Sequence, residues 1–314
     1  MNVLRIPSIV HIVPIVIASL AHWLIPLPHH PIASLPHSSQ VPVYRSLAEV
    51  VLVPVAVTSG GRVVEGLTAS DFEVLDNGIP QSVESSALEA LPIDVTVLAD
   101  VSGSVDGPVR ERFIAQIQAI AASLPAQDRV RLLTFGASVR DVTGWQAGGG
   151  VLPLNRVEGG GGTSLYDALA GALLAATVSD RPHVIVAFSD GLDNSSLFDA
   201  SGLEALAGLT PATMYLSLAR TAERPLRGVA PWSGQPDVRL LRRILERTGG
   251  ELIERQSASA LKEPFSHALS RFRTMYLLRY TPSGVARGGW HTLTVRIPGR
   301  RYEVRARPGY EGGG

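Results

Sequence analysis

The chain of 314 residues contains no cysteine. Disulfides, thiolate metal sites and cysteine nucleophiles are therefore excluded together, and the redox compartment is left open. Net charge is also missing, with 28 basic residues against 28 acidic ones. No global field recruits nucleic acid or an anionic membrane, so nucleic acid is not an expected partner and any charged partner must be met locally. One local imbalance exists: from Arg271 to Pro308 nine arginines face a single acid, Glu303. These read as solvent-facing positions on strands, with a surface for an anionic polymer as the lesser alternative. The glycines at 159–162 have no following Gly-Lys-Ser/Thr, so they do not make a phosphate-binding loop.

Apolar residues, by contrast, are plentiful at 45% of the chain. That is enough for one large domain with a smaller one beside it. After Arg5 runs IPSIVHIVPIVIASLA, ending in Ser19-Leu20-Ala21, the small-x-small pattern of a cleaved leader. Residues 1–21 are thus expected to be a signal peptide. Only one basic residue precedes the run and apolar character resumes at WLIPL, so an uncleaved anchor over residues 6–27 is the competing reading. Either way the remainder is expected outside the cytoplasm, whether periplasmic, secreted or membrane-anchored. Residues 22–42 hold five prolines and four of the eight histidines without apolar periodicity. They read as a linker, and their histidines lack the fixed geometry of a metal site.

Residues 43–90 have the pattern of strands: VVLVPVAVT, FEVLD, and the tight-turn signal Asp76-Asn77-Gly78 before IPQSVESS. From 91 to 273 short apolar runs alternate with helix-spaced segments. IDVTVLAD leads to a stripe of Val109, Phe113, Ile117, Ile120 and Leu124; VRLLTF, SLYDALAGALLAA, HVIVAF and TMYLSL follow. A helix carrying Val238, Leu241 and Leu245 stops at Gly249-Gly250, ELIE comes next, and a last helix bears Leu261, Phe265 and Phe272. Such alternation predicts an α/β fold, a doubly wound and mostly parallel sheet with helices on both faces. Residues 274–314 return to strands in MYLLRYT, WHTLTVRI and YEVRARPGY. The two flanks are the isolated strand sets, so they are expected to pack together as a β-sandwich.

In doubly wound sheets ligands bind beyond the carboxyl ends of the strands. Three clusters fall at such places: Asp100, Ser102 and Ser104 in DVSGS, Thr163 in the glycine-rich GGGGTS, and Asp190 in SDG. Together they offer three hydroxyls and two carboxylates with no soft ligand, a donor set that suits Mg²⁺ or Mn²⁺ better than Zn²⁺. Taken alone, Ser102 and Ser104 could cap a helix and Asp100 satisfy loop amides.

The order DVSGS, GGT, SDG resembles the metal-ion-dependent adhesion site, or MIDAS, of von Willebrand factor A domains. The flanking LVPVAVT, GLTASDFEVLDNG, YLLRYTP and VRARPGY are similar to the bacterial VWFA-related domain family. This resemblance implies direct metal ligation by Ser102 and Ser104, direct or water-mediated contact from Thr163, and water-mediated contact from Asp100 and Asp190. It also implies a vacant position for a carboxylate, hence a protein partner with an exposed Asp or Glu, and a last helix that moves as affinity changes. Two other readings stand beside it. AFSDG matches a nucleophile elbow with Ala187 in the first glycine position, making Ser189 the nucleophile of a serine hydrolase served by Asp193 or Asp237 and His267 or His291. A metal-free structural scaffold is the other. Asp193 reads as a turn residue, and Asp167 as a partner of its own helix dipole.

Overall fold

The computed structural model describes residues 50–103, 107–154, 157, 159–175, 181–219, 237–255 and 262–313. The expected leader and linker, Ser104 and Leu261 lie outside the described residues. The N-terminal flank supplies β1 (Val51–Ser59), β2 (Arg62–Val63), β3 (Glu73–Asp76), β4 (Ile79–Gln81) and β5 (Glu84–Ala87). Asn77 and Gly78 turn β3 into β4 with φ of 47° and 80°, the two left-handed residues that a two-residue hairpin demands. The middle of the chain contributes β6 (Asp94–Asp100), α1 (Gly107–Ser123), β7 (Arg129–Phe135), β8 (Val139–Asp141), β9 (Gln146–Ala147), α2 (Leu165–Leu174) and β10 (His183–Ser189). It continues through α3 (Ala200–Leu209), β11 (Thr213–Ala219), α4 (Val238–Arg247), β12 (Leu252–Arg255) and α5 (Lys262–Arg273). The C-terminal flank adds β13 (Tyr276–Tyr280), β14 (Gly289–Arg296), β15 (Glu303–Ala306) and β16 (Gly309–Gly312).

Sequence reading passes over β8, β9 and α3. The first two are too short to show a period. Glycines at 202 and 208 weaken the helical signal of α3, yet the helix forms: Asp199 caps it by accepting from Gly202 N at 2.7 Å, and Leu203 and Ala207 are fully buried. Where a helix is expected to stop at Gly249-Gly250, both glycines are required. Gly249 sits at φ +76°, and a Cβ on Gly250 would lie 1.7 Å from the Met214 carbonyl oxygen.

The central sheet has the order β12-β11-β10-β6-β7-β8, with β9 also on β7. β6, β7, β10, β11 and β12 run parallel, while β8 and β9 join β7 antiparallel. Every residue of β6 and β10 is buried, as expected of parallel strands covered on both faces. On one face Val95, Val97 and Ala99 pack with Ile117 and Ile120 of α1 and Phe265 and Phe272 of α5. On the other, Leu98, Ile185 and Met214 pack with Leu169 of α2, Leu203 of α3 and Ile244 of α4. The chain moves from β6 out to β7, then returns to the far side of β6 for β10. Strand order therefore reverses between β6 and β10, and a crevice opens beyond their carboxyl ends.

The two flanks do interleave. One sheet runs β15-β1-β13-β5 with β2 on β1, the other β16-β14-β3-β4, so each contains strands from both ends of the chain. Val53, Val55, Tyr276 and Leu278 of the first face Phe72, Val74, Leu293 and Tyr310 of the second in one core. Within it the carboxyl of Asp76, fully buried, accepts from Tyr280 and Tyr310 hydroxyls at 2.9 Å each and pairs with His291 Nδ1 at 2.8 Å. Burial and the Asp76 hydrogen bond hold the Tyr280 phenol well above its ordinary range.

Residues 47–314 form one compact unit, and arginines at the end of α5 and in the C-terminal flank stitch the sandwich to the α/β layer. Arg273, at the end of α5, donates to Asp128 and to the carbonyls of Leu88 and Leu91. Arg305 reaches Glu251 and the Gly250 carbonyl. Arg307, 4% exposed, donates to Thr210, Gly208 and Gly309 carbonyls at 2.7 Å each, closing the C-terminal end of α3. The expectation of solvent-facing arginines is thus corrected for Arg307 and Arg273, whose charge is spent on internal carbonyls and a carboxylate, while Arg279, Arg287, Arg296, Arg300, Arg301 and Arg305 are exposed as expected. Burial draws the Arg307 pKa down to about 10, so it remains charged at neutral pH. Arg307→Ala leaves three buried carbonyls without donors and is expected to cost about 3 kcal/mol. Urea unfolding checks this, and the loss should appear in a single transition shared by both layers.

Candidate metal centre

The centre is built from strand register upward. β6 pairs with β10 so that Ala99 lies opposite Phe188, which sets Asp100 beside Ser189 at the next step. Ser189 Oγ donates to Asp100 Oδ2 at 2.8 Å, and Ser102 N donates to Asp100 Oδ1 at 3.0 Å. Both carboxylate oxygens are thereby fixed, one from each strand end. Ser189 Oγ in turn accepts from Gly191 N at 3.0 Å, and Asp190 Oδ1 accepts from Leu192 N at 3.1 Å, which holds the turn after β10.

Thr163 arrives on the glycine-rich loop. Gly160 N donates to the Val101 carbonyl at 2.8 Å, and Ser164 closes onto the Gly136 carbonyl through both N and Oγ, each at 2.8 Å. The loop crosses directly over the end of β7: a Cβ at Gly136 would lie 2.7 Å from the Gly160 oxygen. Thr163 N donates to Asn194 Oδ1 at 2.8 Å, while Asn194 N and Ser195 N return bonds to the Thr163 carbonyl at 3.0 and 3.1 Å. Asp100, Ser102, Thr163 and Asp190 thus lie on three hydrogen-bonded segments at one end of the sheet. The expected fifth donor, Ser104, is outside the described residues.

Four residues outside the expected ligand set support this arrangement, and one of them, Asp193, bonds Ser196 of its own loop as expected. Ser189 orients Asp100. Asn194 pins Thr163, and only its place in the loop after SDG could have drawn attention to it. Asp193 accepts from Tyr166 N at 2.9 Å, capping α2 from across the crevice. Asp167 does more than face its helix dipole: it accepts from Leu197 N and Phe198 N at 3.0 and 2.8 Å.

Burial is the main influence raising the Asp100 carboxyl above its usual range, opposed by the hydrogen bonds from Ser102 and Ser189. Asp190 is raised by burial first and by the charge of Asp100 second. Among the described residues no basic side chain relieves either carboxylate. A divalent cation would supply that missing charge, and the hard oxygen set of hydroxyls and carboxylates fits one. The described residues hold no cluster of three or more His, Asp or Glu side chains, so neutral hydroxyls would have to share the ligation.

The hydrolase arrangement does not assemble. Ser189 Oγ is engaged by Asp100 and Gly191. Asp237 caps α4 by accepting from Leu240 N, His267 contacts Glu251, and His291 sits with Asp76 in the sandwich core.

Residues 95–192 match the family model of the von Willebrand factor type A domain, a span that contains every candidate ligand. Over those residues the chain contains a von Willebrand factor type A domain. Solved structures similar to it include the ArnB paralog VWA2 from Sulfolobus acidocaldarius, 10% identical over 82% of this chain and 75% of that one, TM-score 0.45. A von Willebrand factor type A protein from Catenulispora acidiphila is 13% identical over 80% and 73%, TM-score 0.44. Proximal thread matrix protein 1 from the mussel byssus, described with a zinc-occupied MIDAS motif, is 13% identical over 62% of this chain, TM-score 0.45. The chain spans 49% of that mussel protein. No curated protein matches it.

The raised carboxyls of the A domain give a sign to its pH dependence. Folded-state pKa values above the unfolded ones mean that the folded chain binds more protons, so metal-free stability falls as pH rises from about 4 through the raised range. Asp190→Asn removes the repulsion with Asp100. In EDTA it is expected to be more stable than the wild type at pH 7, to converge with it below about pH 4, and to show the flatter profile between. Denaturant midpoints across that range test this, and an unchanged profile would mean that the two carboxylates do not oppose each other.

Proposed function

We propose that this A domain is an extracytoplasmic binding module that grips an acidic residue of a protein partner through a divalent cation. The observation that carries the reading is the buried Asp100 carboxylate beside the half-buried Asp190 carboxylate at the strand-order reversal, with no basic counter-charge among the described residues. Ser102, Ser104 and Thr163 would present hydroxyl oxygens, while Asp100 and Asp190 would balance the charge from behind. When bound, Mg²⁺ or Mn²⁺ supplies a Lewis-acidic point able to take one more carboxylate from outside. This division of labour explains why serines follow β6 where acids would bind a cation more tightly: neutral donors leave the anionic position to the partner. Ser189 serves as a positioning residue, because its hydroxyl fixes which Asp100 oxygen faces the crevice. The domain is read as non-enzymatic, a role that asks for grip and reversibility from these same groups.

Millimolar Mg²⁺ or Mn²⁺ is expected to stabilise the fold by mass action, by about 2.7 kcal/mol at a hundredfold excess over Kd, and so to raise the thermal midpoint. Ser102→Ala with Thr163→Ala should remove the gain, and EDTA should reverse it in the wild type. Absence of any shift in the wild type counts against the metal reading.

Residues 1–21 are proposed to act as a cleaved leader, placing the domain outside the cytoplasm. No described helix is long and apolar enough to cross a membrane, and the alternative anchor, residues 6–27, lies outside the described residues. N-terminal sequencing of the native protein is expected to begin at or near His22. An intact Met1 form in membranes would select the anchor, and one in cytosol would reject export.

A further inference from the structure

Two large apolar side chains stand out of the loop between β10 and α3. Leu197 is 95% exposed and Phe198 39%. A single exposed leucine ordinarily needs no explanation, because a loose loop tip can turn its side chain either way. Here the backbone leaves no such freedom. Leu197 N is bound by both oxygens of Asp167, and Phe198 N by one of them. Ser196 Oγ accepts from Asp167 N at 3.0 Å and donates to Asp193, which itself accepts from Tyr166 N. Asn194 and Ser195 complete the run on Thr163. Residues 193 to 198 are thus fastened to residues 163 to 167 by side-chain and backbone bonds, and the result of that fastening is to hold two apolar side chains in water.

The place where they are held is next to the metal centre. Thr163 and Asp167 are four residues apart across the start of α2, about 6 Å along a helix axis. The Phe198 ring lies on the first turn of α3, 3.4 Å from where a Gly202 Cβ would be, so it is a fixed platform with one side toward solvent. A preformed apolar surface costs little ordering entropy when a partner covers it.

We propose that Leu197 and Phe198 are the specificity contact beside the metal centre, and that the partner segment carries an aliphatic or aromatic residue within three positions of its acidic one. Three residues of extended chain span about 10 Å, enough to place a carboxylate at the metal and an apolar side chain on the loop. The inference rests on the metal reading above, which supplies the carboxylate anchor.

The test is selection of a random heptapeptide library on the immobilised full chain in Mg²⁺, with elution by EDTA, for wild type and for Leu197→Ser with Phe198→Ser. Wild type is expected to enrich Asp or Glu with an apolar residue within three positions. The double variant should keep the acid and lose the apolar neighbour, and the best wild-type peptide should bind it about tenfold more weakly. Its Mg²⁺-induced thermal shift should match the wild type, which shows the fold and metal centre intact. Acidic peptides with no apolar preference in wild type, or the same preference in both proteins, would overturn the proposal while leaving the metal reading standing. Mg²⁺-independent self-association of wild type, abolished in the double variant, would overturn it in favour of a second copy as occupant. If neither protein yields EDTA-eluted acidic peptides nor shows a thermal shift, the metal reading fails and this inference with it.

Discussion

The parallel pairing of β6 with β10 is the interaction on which the rest depends. It is a pairing between segments 89 residues apart, formed because both strands are apolar on two faces and each needs cover on both. Once it forms, two carboxylates that the chain keeps far apart are brought together, Asp100 buried and Asp190 half-buried, and strand order reverses at the same point. A slip of one residue would turn Asp100 from the crevice end and separate it from Ser189. The glycine-rich loop then has one route, over Gly136 and between the ends of β6 and β7, and Thr163 follows from that route.

Charge in this protein is handled differently in its two layers. In the sandwich a buried carboxyl, Asp76, is surrounded by donors from three strands and belongs to the packing. At the crevice Asp100 is also hydrogen-bonded, by Ser102, Ser189 and the Asp190 backbone, but the charge of Asp100 still raises the half-buried Asp190. The contrast is one of charge: the donors around Asp76 are part of the packing, whereas among the described residues no basic side chain offsets the two crevice carboxyls.

The resemblance to A domains carries the expectation of a mobile last helix, and the flanks bear on it. α5 ends in Arg273, bonded to Asp128 and to two carbonyls ahead of β6, and β13 begins three residues later inside the sandwich sheet. Travel of α5 along its axis would have to break those bonds and shift β13 against β1. In this chain any movement of α5 would therefore be coupled to the sandwich.

Much of the candidate site was legible in the sequence because it depends on local pattern: a polar break after an apolar strand marks its end, where Asp100, Ser102 and Asp190 sit, and a glycine-rich run into a helix marks the loop of Thr163. The alternation of strand and helix, the Asn77-Gly78 turn and the Gly249-Gly250 stop are local in the same sense. The misses share a cause. Ser189 drew attention only as the nucleophile of the alternative hydrolase reading and not as the partner of Asp100 that register makes it, Asp167 looked like a dipole partner until the loop at Leu197 closed on it, and Asn194 gave no local signal at all. Arg307 looked solvent-facing on its strand until α3, which ends about a hundred residues earlier in the chain, brought its last carbonyls alongside. Sequence by itself determined which residues end strands and which carry oxygen. Only the tertiary structure decided which of those oxygens meet, because hydrogen bonds between distant segments are set by register and packing, and neither is written in the neighbourhood of any one residue.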